Sequence, residues 1–394
     1  MDTTAALITP RGTGAISTIQ LYGSGAKGIV GDIFKASGKT CSEYAVGDIV
    51  LGRIVDSEGK IIDQVLIGCE AENTYAVNCH GNPLIVESIL NLLRGKGVSV
   101  LGRGEYLQNY LLKTTSLNAI EIESRICRID SVTLDGARII ANQSGGGLNK
   151  ILSDWLERID SIEMGEIKSR VERILADSEA GGVIINGCRV VLAGGPNTGK
   201  SSILNLLAGR EKSIVTEIEG TTRDYTSAHC RVGRLVAEVY DTAGLDVMLA
   251  GRGAIDRRSQ EKSIEMIGLA DVVLMVVDSS RGFERSGNFD IEKFGNKRVI
   301  TILNKSDLET KTGREDLPRS LRKNCVRMSA LTGDGVGELA AKIAEVLGVA
   351  DFDMDIAVCF TSRQRGLLDG ILSAEGEMSA GSLIRKLLNR ECLV

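Results

Sequence analysis

Histidine is scarce in this sequence, with only two, His80 and His229, among 394 residues. This leaves little room for histidine-based catalysis or for a histidine-rich metal site. Long apolar runs are missing as well: none approaches the roughly 20 residues that a membrane-spanning helix needs, and no basic-then-apolar signal peptide follows Met1. The sequence therefore predicts a cytoplasmic protein without a membrane span.

Paired cysteines are also missing. The nine cysteines are odd in number and none forms a CxxC pair, which favours reduced thiols. The net charge of −5 excludes a wholly basic surface that attracts nucleic acid, although a local basic patch remains compatible with it. No internal repeat or low-complexity stretch is evident. A chain of this length is expected to hold two or three domains.

The chain does contain five short segments in the order and spacing of a complete guanine-nucleotide site. They read GGPNTGKS at 194–201, GTTRD at 220–224, DTAGL at 241–245, NKSD at 304–307 and SAL at 329–331. One such segment arises easily by chance, but five in sequence order predict a GTPase.

The first segment has the Walker A spacing of a phosphate-binding loop. It follows an apolar run, 190–193, that predicts a buried strand, and it precedes a helical pattern at 203–207. Glycines let such a loop turn its N–H groups towards phosphates, and the helix N-terminus adds partial positive charge. We predict that Lys200 contacts the β- and γ-phosphates and that the Ser201 hydroxyl ligates Mg²⁺.

The fourth and fifth segments predict the choice of base. Asp307 can accept from both N1–H and the N2 amino group of guanine, and adenine has neither donor, so the wrong base would leave the carboxylate unpaired. Asn304 and Lys305 are expected to brace the loop. Ser329 and Ala330 are expected to supply a backbone N–H to the guanine O6.

The second and third segments are expected to handle the γ-phosphate. Thr222 is predicted to close on Mg²⁺, Asp241 to hold the magnesium shell through water, and the Gly244 N–H to contact the γ-phosphate. Many GTPases follow DTAG with a glutamine that orients the attacking water. Here that position is Leu245, which has no hydrogen-bonding group, so another residue must orient the water. The predicted nucleotide-binding residues are Gly194, Asn197, Thr198, Gly199, Lys200, Ser201, Ser202, Thr221, Thr222, Asp241, Gly244, Asn304, Lys305, Asp307, Ser329 and Ala330.

The remaining sequence predicts a multidomain α/β chain: an α+β N-terminal domain and a helical domain interrupted by an inserted Ras-like P-loop GTPase. The N-terminal part has strand patterns at 18–21, 48–51 and 64–67 and a helix pattern at 83–93. Helical patterns follow from 116 to 177 and return from 362 to 393, and Gly181-Gly182 is interpreted as a joint. The predicted boundaries are 1–112 for the N-terminal domain, 113–186 and 351–394 for the helical domain, and 187–350 for the GTPase.

At the level of whole motifs, the chain resembles the tRNA-modification GTPases of the MnmE (TrmE) type. The similar segments in the GTPase are GGPNTGKSS at 194–202, IVTEIEGTTRD at 214–224 and DTAGL at 241–245; those in the N-terminal part are ITPRGTGAISTIQLYG at 8–23, VNCHGNP at 77–83 and GRGEY at 102–106. The resemblance covers nearly the whole chain and is most specific in the GTPase. It implies the domain order given above, with folate binding and dimerisation in the N-terminal domain.

The resemblance also implies a second metal ion and several partners. Family members bind K⁺ where an arginine finger would lie, which places Asn197, Thr216 and Ile218 around potassium. A glutamate orients the water in the family; Asp256 is the matching candidate here, with a solvated helix-start carboxylate as the alternative. Together with Thr222 and Lys200, Asp256 completes the predicted catalytic set. The implied partners are a second copy of the chain, a flavin-dependent MnmG (GidA)-type protein and tRNA.

Several positions depart from the family pattern. Gln20 replaces an arginine that faces folate, and Asn109-Tyr110 replace Arg-Ala, so 5-formyl-tetrahydrofolate is expected to bind weakly. His80 and Cys392 each have a functional interpretation and an incidental one. Two functions follow as hypotheses: a Mg²⁺- and K⁺-dependent GTPase in wobble-uridine modification of tRNA, or a diverged potassium-activated GTPase switch that acts in assembly or regulation without folate chemistry.

Overall fold

The computed structural model describes residues 3–37, 44–210, 226–241, 266–283 and 294–393. It divides into two compact units, one formed by Met1–Asn118 with Leu393–Val394 and the other by Ala119–Cys392. Within the described ranges, no helix is long and apolar enough to cross a membrane. All eight cysteines in those ranges are free thiols, as predicted.

The first unit is built on a seven-stranded sheet with the order β3-β4-β5-β6-β2-β1-β7, in which only the β1–β7 pair is parallel. Its strands are β1 (Thr4–Leu7), β2 (Ile16–Tyr22), β3 (Phe34–Ala36), β4 (Ile49–Val55), β5 (Ile61–Ala71), β6 (Thr74–His80) and β7 (Ser99–Val100). Its helices are α1 (Ala26–Ile33), α2 (Pro83–Gly95) and α3 (Arg103–Thr114). The helix predicted at 83–93 and the strand predicted at 18–21 are confirmed to within two residues. The strands predicted at 48–51 and 64–67 are confirmed as β4 and β5, but the observed strands extend three or four residues beyond the predicted ends.

Alternation of apolar and polar residues gives this sheet two different faces. In β2 and α2, the buried side chains of Ile19, Leu21, Ile89 and Leu93 belong to one apolar core. This core also includes α1, so the helices α1 and α2 cover one face of the sheet. On β2 the alternate residues point to the opposite face, where Tyr22 meets Tyr110 of α3 edge-on with ring centroids 5.2 Å apart.

The second unit combines helices with a six-stranded sheet of order β13-β12-β11-β8-β10-β9, in which only the β9–β10 pair is antiparallel. Its helices are α4 (Ala119–Asp130), α5 (Leu134–Gly145), α6 (Leu148–Glu157), α7 (Met164–Asn186), α8 (Lys200–Arg210), α9 (Arg319–Arg322), α10 (Val336–Val346), α11 (Ser362–Leu372) and α12 (Glu377–Leu388). Its strands are β8 (Cys188–Ala193), β9 (Thr226–Val232), β10 (Leu235–Asp241), β11 (Val272–Asp278), β12 (Arg298–Asn304) and β13 (Cys325–Arg327).

The central strands of this sheet are buried on both faces, as expected for parallel strands. Along β11, Val272, Leu274 and Val276 enter one apolar core, whereas Val273 and Met275 enter another. Because β8, β10, β11 and β12 run parallel, their carboxyl ends meet along one edge of the sheet. Ligands of open α/β sheets bind at such an edge.

A further apolar core draws on both ends of the second unit. It contains Trp155 and Ile167 before the sheet, and Leu368 and Ile384 after it. Polar contacts accompany this packing: the Gln143 side chain accepts from the Val358 N–H at 3.0 Å and the Ser178 hydroxyl accepts from the Cys359 N–H at 2.8 Å. Helices from 119–186 and from 362–388 are therefore packed together.

The joint predicted at Gly181-Gly182 is wrong, since α7 continues without a break to Asn186. Gly181 instead provides room for packing, because a Cβ there would lie 3.3 Å from Phe352 and from Val358. The chain turns into β8 at Gly187, which has φ 79° and whose Cβ would lie 2.6 Å from the Val236 carbonyl oxygen. Only glycine fits this turn without strain.

Candidate functional site

The loop after β8 has the backbone of a phosphate-binding loop. Gly194 and Gly199 have φ 145° and 100°, and a Cβ on either would collide with Val276 or Asn304 respectively. The loop leads directly into α8, so the N-terminus of that helix faces it. Lys200 is buried, and its Nζ donates to the carbonyl oxygens of Gly194 and Gly195 at 2.9 Å each, which keeps the ammonium group inside the loop.

Asn304, at the end of β12, is the first residue of the base loop 304–307, and its side chain bonds to the phosphate-binding loop and to the loop 329–331. Its Nδ2 donates to the Thr198 carbonyl at 2.8 Å, and its Oδ1 accepts from the Ala330 N–H at 3.0 Å. The Asp307 carboxylate accepts from the Ser329 hydroxyl. The Ala330 N–H therefore reaches a guanine O6 only if it shares its hydrogen with Asn304 or leaves it.

The end of β10 lies beside the start of α8, where the sequence predicts magnesium. The Ser201 hydroxyl donates to Oδ2 of Asp241, and the other carboxylate oxygen of Asp241 is buried with no hydrogen-bond partner among the described residues. An unpaired buried carboxylate oxygen is costly unless a ligand satisfies it. A hydroxyl and a carboxylate are hard oxygen donors, which are the ligands that Mg²⁺ prefers. The residues present therefore fit this metal ion.

Comparison with known proteins decides the family. Residues 3–113 match the family described as "GTP-binding protein TrmE N-terminus", and residues 189–305 match "50S ribosome-binding GTPase". The "tRNA modification GTPase MnmE" of Moorella thermoacetica is 32% identical over 93% of this chain and 87% of that protein. The chain belongs to the MnmE family.

Other MnmE proteins are similar over comparable lengths. That of Thermotoga maritima is 30% identical over 87% of this chain and 82% of that protein. That of Clostridioides difficile is 29% identical over 88% of this chain and 82% of that protein. With a family GTPase domain and MnmE relatives along most of its length, the chain is a GTP-hydrolysing enzyme.

Several predicted residues of this MnmE-family site lie outside the described residues. They are Thr216, Ile218, Thr221, Thr222, Gly244, Leu245 and Asp256. Those that are described converge on the carboxyl edge of the sheet. Asn197 is exposed in the phosphate-binding loop and has φ 61°, and Ser202 is exposed in the first turn of α8.

Asp278 is a residue of this site that sequence reasoning missed. It is 3% exposed at the carboxyl end of β11, and its Oδ2 accepts from Lys305 Nζ at 2.7 Å while its Oδ1 accepts from the Ser280 hydroxyl at 2.6 Å. Burial by itself would raise the pKa of Asp278, but the hydrogen bonds from Lys305 and Ser280 outweigh it and hold the pKa below the usual carboxyl value. A polar residue directly after the wholly apolar run 272–277 was the available signal.

On the N-terminal sheet face, Gln20 lies where the family pattern places an arginine. Gln20 donates from its side-chain amide to the Glu70 carboxylate, and Tyr110 packs against Tyr22. A neutral amide bonded to a carboxylate does not attract a second anion. Gln20 therefore supplies no positive charge at this position.

Three arginines line a cavity elsewhere in the N-terminal unit. Its volume is about 730 Å³, and Arg11, Arg94 and Arg103 lie along its wall together with mainly apolar residues. Glu87 also lines it and pairs with Arg94 at 3.0 Å. Guanidinium groups beside apolar side chains suit an organic anion.

His80, the other N-terminal residue with two interpretations, is paired with a carboxylate. Its Nδ1 lies 2.7 Å from Oδ1 of Asp63, and its backbone N–H donates to Oδ2 of the same carboxylate at 2.9 Å. The imidazole is 67% exposed, whereas the Asp63 side chain is buried. These bonds fix the turn at the end of β6, so the structural interpretation has a concrete basis.

Proposed function

We propose that this chain hydrolyses GTP during modification of the wobble uridine of certain tRNAs, together with a flavin-dependent MnmG-type protein. The observation that carries the proposal is the guanine-nucleotide geometry around Asn304, within a chain whose relatives along most of its length are tRNA modification GTPases. GTP hydrolysis would drive domain movement and would not act on the base. The site of action would be the cytoplasm.

The described residues suggest how the nucleotide is held. Lys200 would exchange the carbonyls of its own loop for the β- and γ-phosphate oxygens, and Asp307 would pair with the guanine edge. Mg²⁺, when bound through Ser201, Thr222 and water on Asp241, supplies neutralisation of phosphate charge. The orphaned oxygen of Asp241 supports this assignment.

Potassium activation is the second part of the proposal. Asn197 offers its side chain on the exposed side of the phosphate-binding loop, while its carbonyl is engaged by Lys305 Nζ at 2.9 Å. The backbone at this position is left-handed, with φ 61°. Thr216 and Ile218 would complete the potassium site, and Asp256 would orient the water.

The domain plan proposed for the chain is a helical domain interrupted by the GTPase, with boundaries at 113–186, 187–350 and 351–394. The buried Glu123 of α4 supports it, because this carboxylate accepts from three residues near the start of α11. The donors are Thr361 at 3.0 Å, Arg363 at 2.8 and 2.7 Å, and Gln364 at 2.7 Å. Such a network ties the two sequence-distant helical segments together.

A homodimer is proposed through the N-terminal unit. On the outer sheet face, Leu51 and Leu66 are directly opposed on β4 and β5 and are 46% and 40% exposed, and Ile49 beside them is 73% exposed. Adjacent exposed apolar residues on a sheet are typical of a surface that a partner covers. A second copy of the chain would bury this patch.

The second candidate function is a potassium-activated GTPase switch without folate chemistry. The bond between Gln20 and Glu70 favours it, because the side chains on this face satisfy one another. Wobble-nucleoside mass spectrometry on cells that lack the chain separates the two candidates. Loss of the modified wobble uridine, restored by the native chain and not by Asp307→Asn, supports the first; an unchanged nucleoside profile supports the second.

A further inference from the structure

A buried carboxylate beside the base loop belongs to none of the five nucleotide segments. Asp278 lies between the ends of β8 and β12, and its Oδ1 also accepts from the Ser280 backbone N–H at 3.0 Å. Buried carboxylates are costly unless paired, and this one is placed to pair with a residue of the nucleotide site. Its nearest charged partner is Lys305, whose side chain is 29% exposed and whose Nζ lies 2.7 Å from Oδ2. The Nε of Arg281, which is 60% exposed, lies farther from the same oxygen, at 3.5 Å.

Lys305 spans two separate parts of the site. Its backbone is left-handed, with φ 63°, and its Nζ donates both to Asp278 and to the Asn197 carbonyl of the phosphate-binding loop. A lysine has a flexible stem with considerable rotamer entropy, so one bond to a carbonyl would hold it weakly. The charged bond to Asp278 at 2.7 Å gives the ammonium group a fixed position over that carbonyl.

We propose that Asp278 is a positioning residue for guanine-nucleotide binding, which holds Lys305 on the Asn197 carbonyl and so couples the base loop 304–307 to the phosphate-binding loop 194–201. Asp278 would act through Lys305, without a contact of its own to the nucleotide. Replacing Asp278 should therefore change the affinity for both GTP and GDP, since both nucleotides contact the base loop and the phosphate-binding loop. The chemical step at saturating GTP depends on other groups.

The test measures the dissociation constant of a fluorescent GDP analogue, N-methylanthraniloyl-GDP, on the full chain. Asp278→Asn should raise it about tenfold to a hundredfold, because a bond to a charged group is lost. In steady-state hydrolysis the KM for GTP should rise by a similar factor while kcat changes about twofold or less. Asp271→Asn is the matched control. Asp271 precedes the same strand and accepts from the Arg189 N–H. The dissociation constant of the GDP analogue should therefore be the same for this variant as for the native chain.

A double-mutant cycle distinguishes positioning from a general structural effect. If Asp278 acts through Lys305, adding Asp278→Asn to Lys305→Met should weaken binding no further. Native affinity in Asp278→Asn, or additive losses in the double variant, would overturn the proposal. If Asp278→Asn fails to fold, Asp278→Glu replaces it in the same cycle: it keeps the charge but displaces the carboxylate by one methylene, and the same two outcomes decide.

Discussion

The nucleotide site and the N-terminal sheet face both carry recognisable family motifs, but the motifs in the two regions determine different features of the structure. In the nucleotide site the motifs fix backbone: Gly194 and Gly199 have dihedral angles that a side chain would strain, and Asn304 bonds two loops. On the sheet face the motifs fix turns and apolar positions, and the polar side chains Gln20 and Glu70 satisfy each other. A fold can remain while individual side chains on it change, because a scaffold does not by itself specify a ligand.

The largest effect is expected from Asp307→Asn, a substitution in the nucleotide site. An amide donates where guanine also donates, so kcat/KM for GTP should fall at least about a hundredfold and preference should move towards xanthosine triphosphate. Parallel assays with GTP, xanthosine triphosphate and ATP check it, with Asp351→Asn as an exposed control. Equal turnover of ATP and GTP by the native chain would remove the basis for guanine selectivity.

Potassium is expected to change the turnover rate next most strongly. Replacing Na⁺ by K⁺ at constant ionic strength should raise kcat at least about tenfold, because an added cation neutralises charge that develops on the phosphates. Asn197→Ala should abolish most of the gain while the rate in Na⁺ persists. Identical rates in KCl and NaCl would contradict the potassium assignment.

Asp256→Asn separates two interpretations of one carboxylate. If Asp256 orients the attacking water, the amide should lower kcat in K⁺ about a hundredfold, in the range of other positioned catalytic bases. An unchanged kcat would show that another residue positions the water and that Asp256 is a solvated helix-start residue.

Folate binding tests the N-terminal sheet face. Calorimetry of the full chain with 5-formyl-tetrahydrofolate should show weak or no binding, because each lost charge-assisted bond removes roughly 1.5–3 kcal/mol. Gln20→Arg should improve the affinity about tenfold, with Gln64→Arg on the same face as the control. Micromolar binding by the native chain would instead indicate that Arg11, Arg103 or Lys113 supplies the contacts.

The smallest effect concerns the support of the nucleotide site. Gly187→Ala should lower the free energy of unfolding by about 1–3 kcal/mol, since alanine at φ 79° is strained and its Cβ would lie 2.6 Å from the Val236 carbonyl oxygen. Gly182→Ala, where a Cβ meets nothing within 4 Å, should be neutral or stabilise α7 by about 0.5–1 kcal/mol. Urea unfolding compares the two; a larger loss at Gly182 would restore the joint at 181–182.

Sequence by itself determined that the chain is a GTPase, and it predicted the residues of the nucleotide site. A strand, a glycine loop and a helix form locally, and spacing along parallel strands brings their carboxyl ends to one edge, so Lys200, Ser201, Asn304 and Asp307 could be assigned from order alone. Local patterns also predicted three of the seven N-terminal strands, β2, β4 and β5, together with α2.

Only the tertiary structure decided what depends on residues distant in sequence. The pairing of Asp278 with Lys305 joins positions 27 residues apart at the ends of neighbouring strands, and no local pattern specifies it. Gly181 was interpreted as a joint because the flexibility of glycine is visible in sequence, whereas the packing of Phe352 against it is not. The bond between Gln20 and Glu70 likewise depends on strand pairing across β2, β6 and β5. Side-chain partners of this kind are set by packing, so they emerge only when the chain is folded.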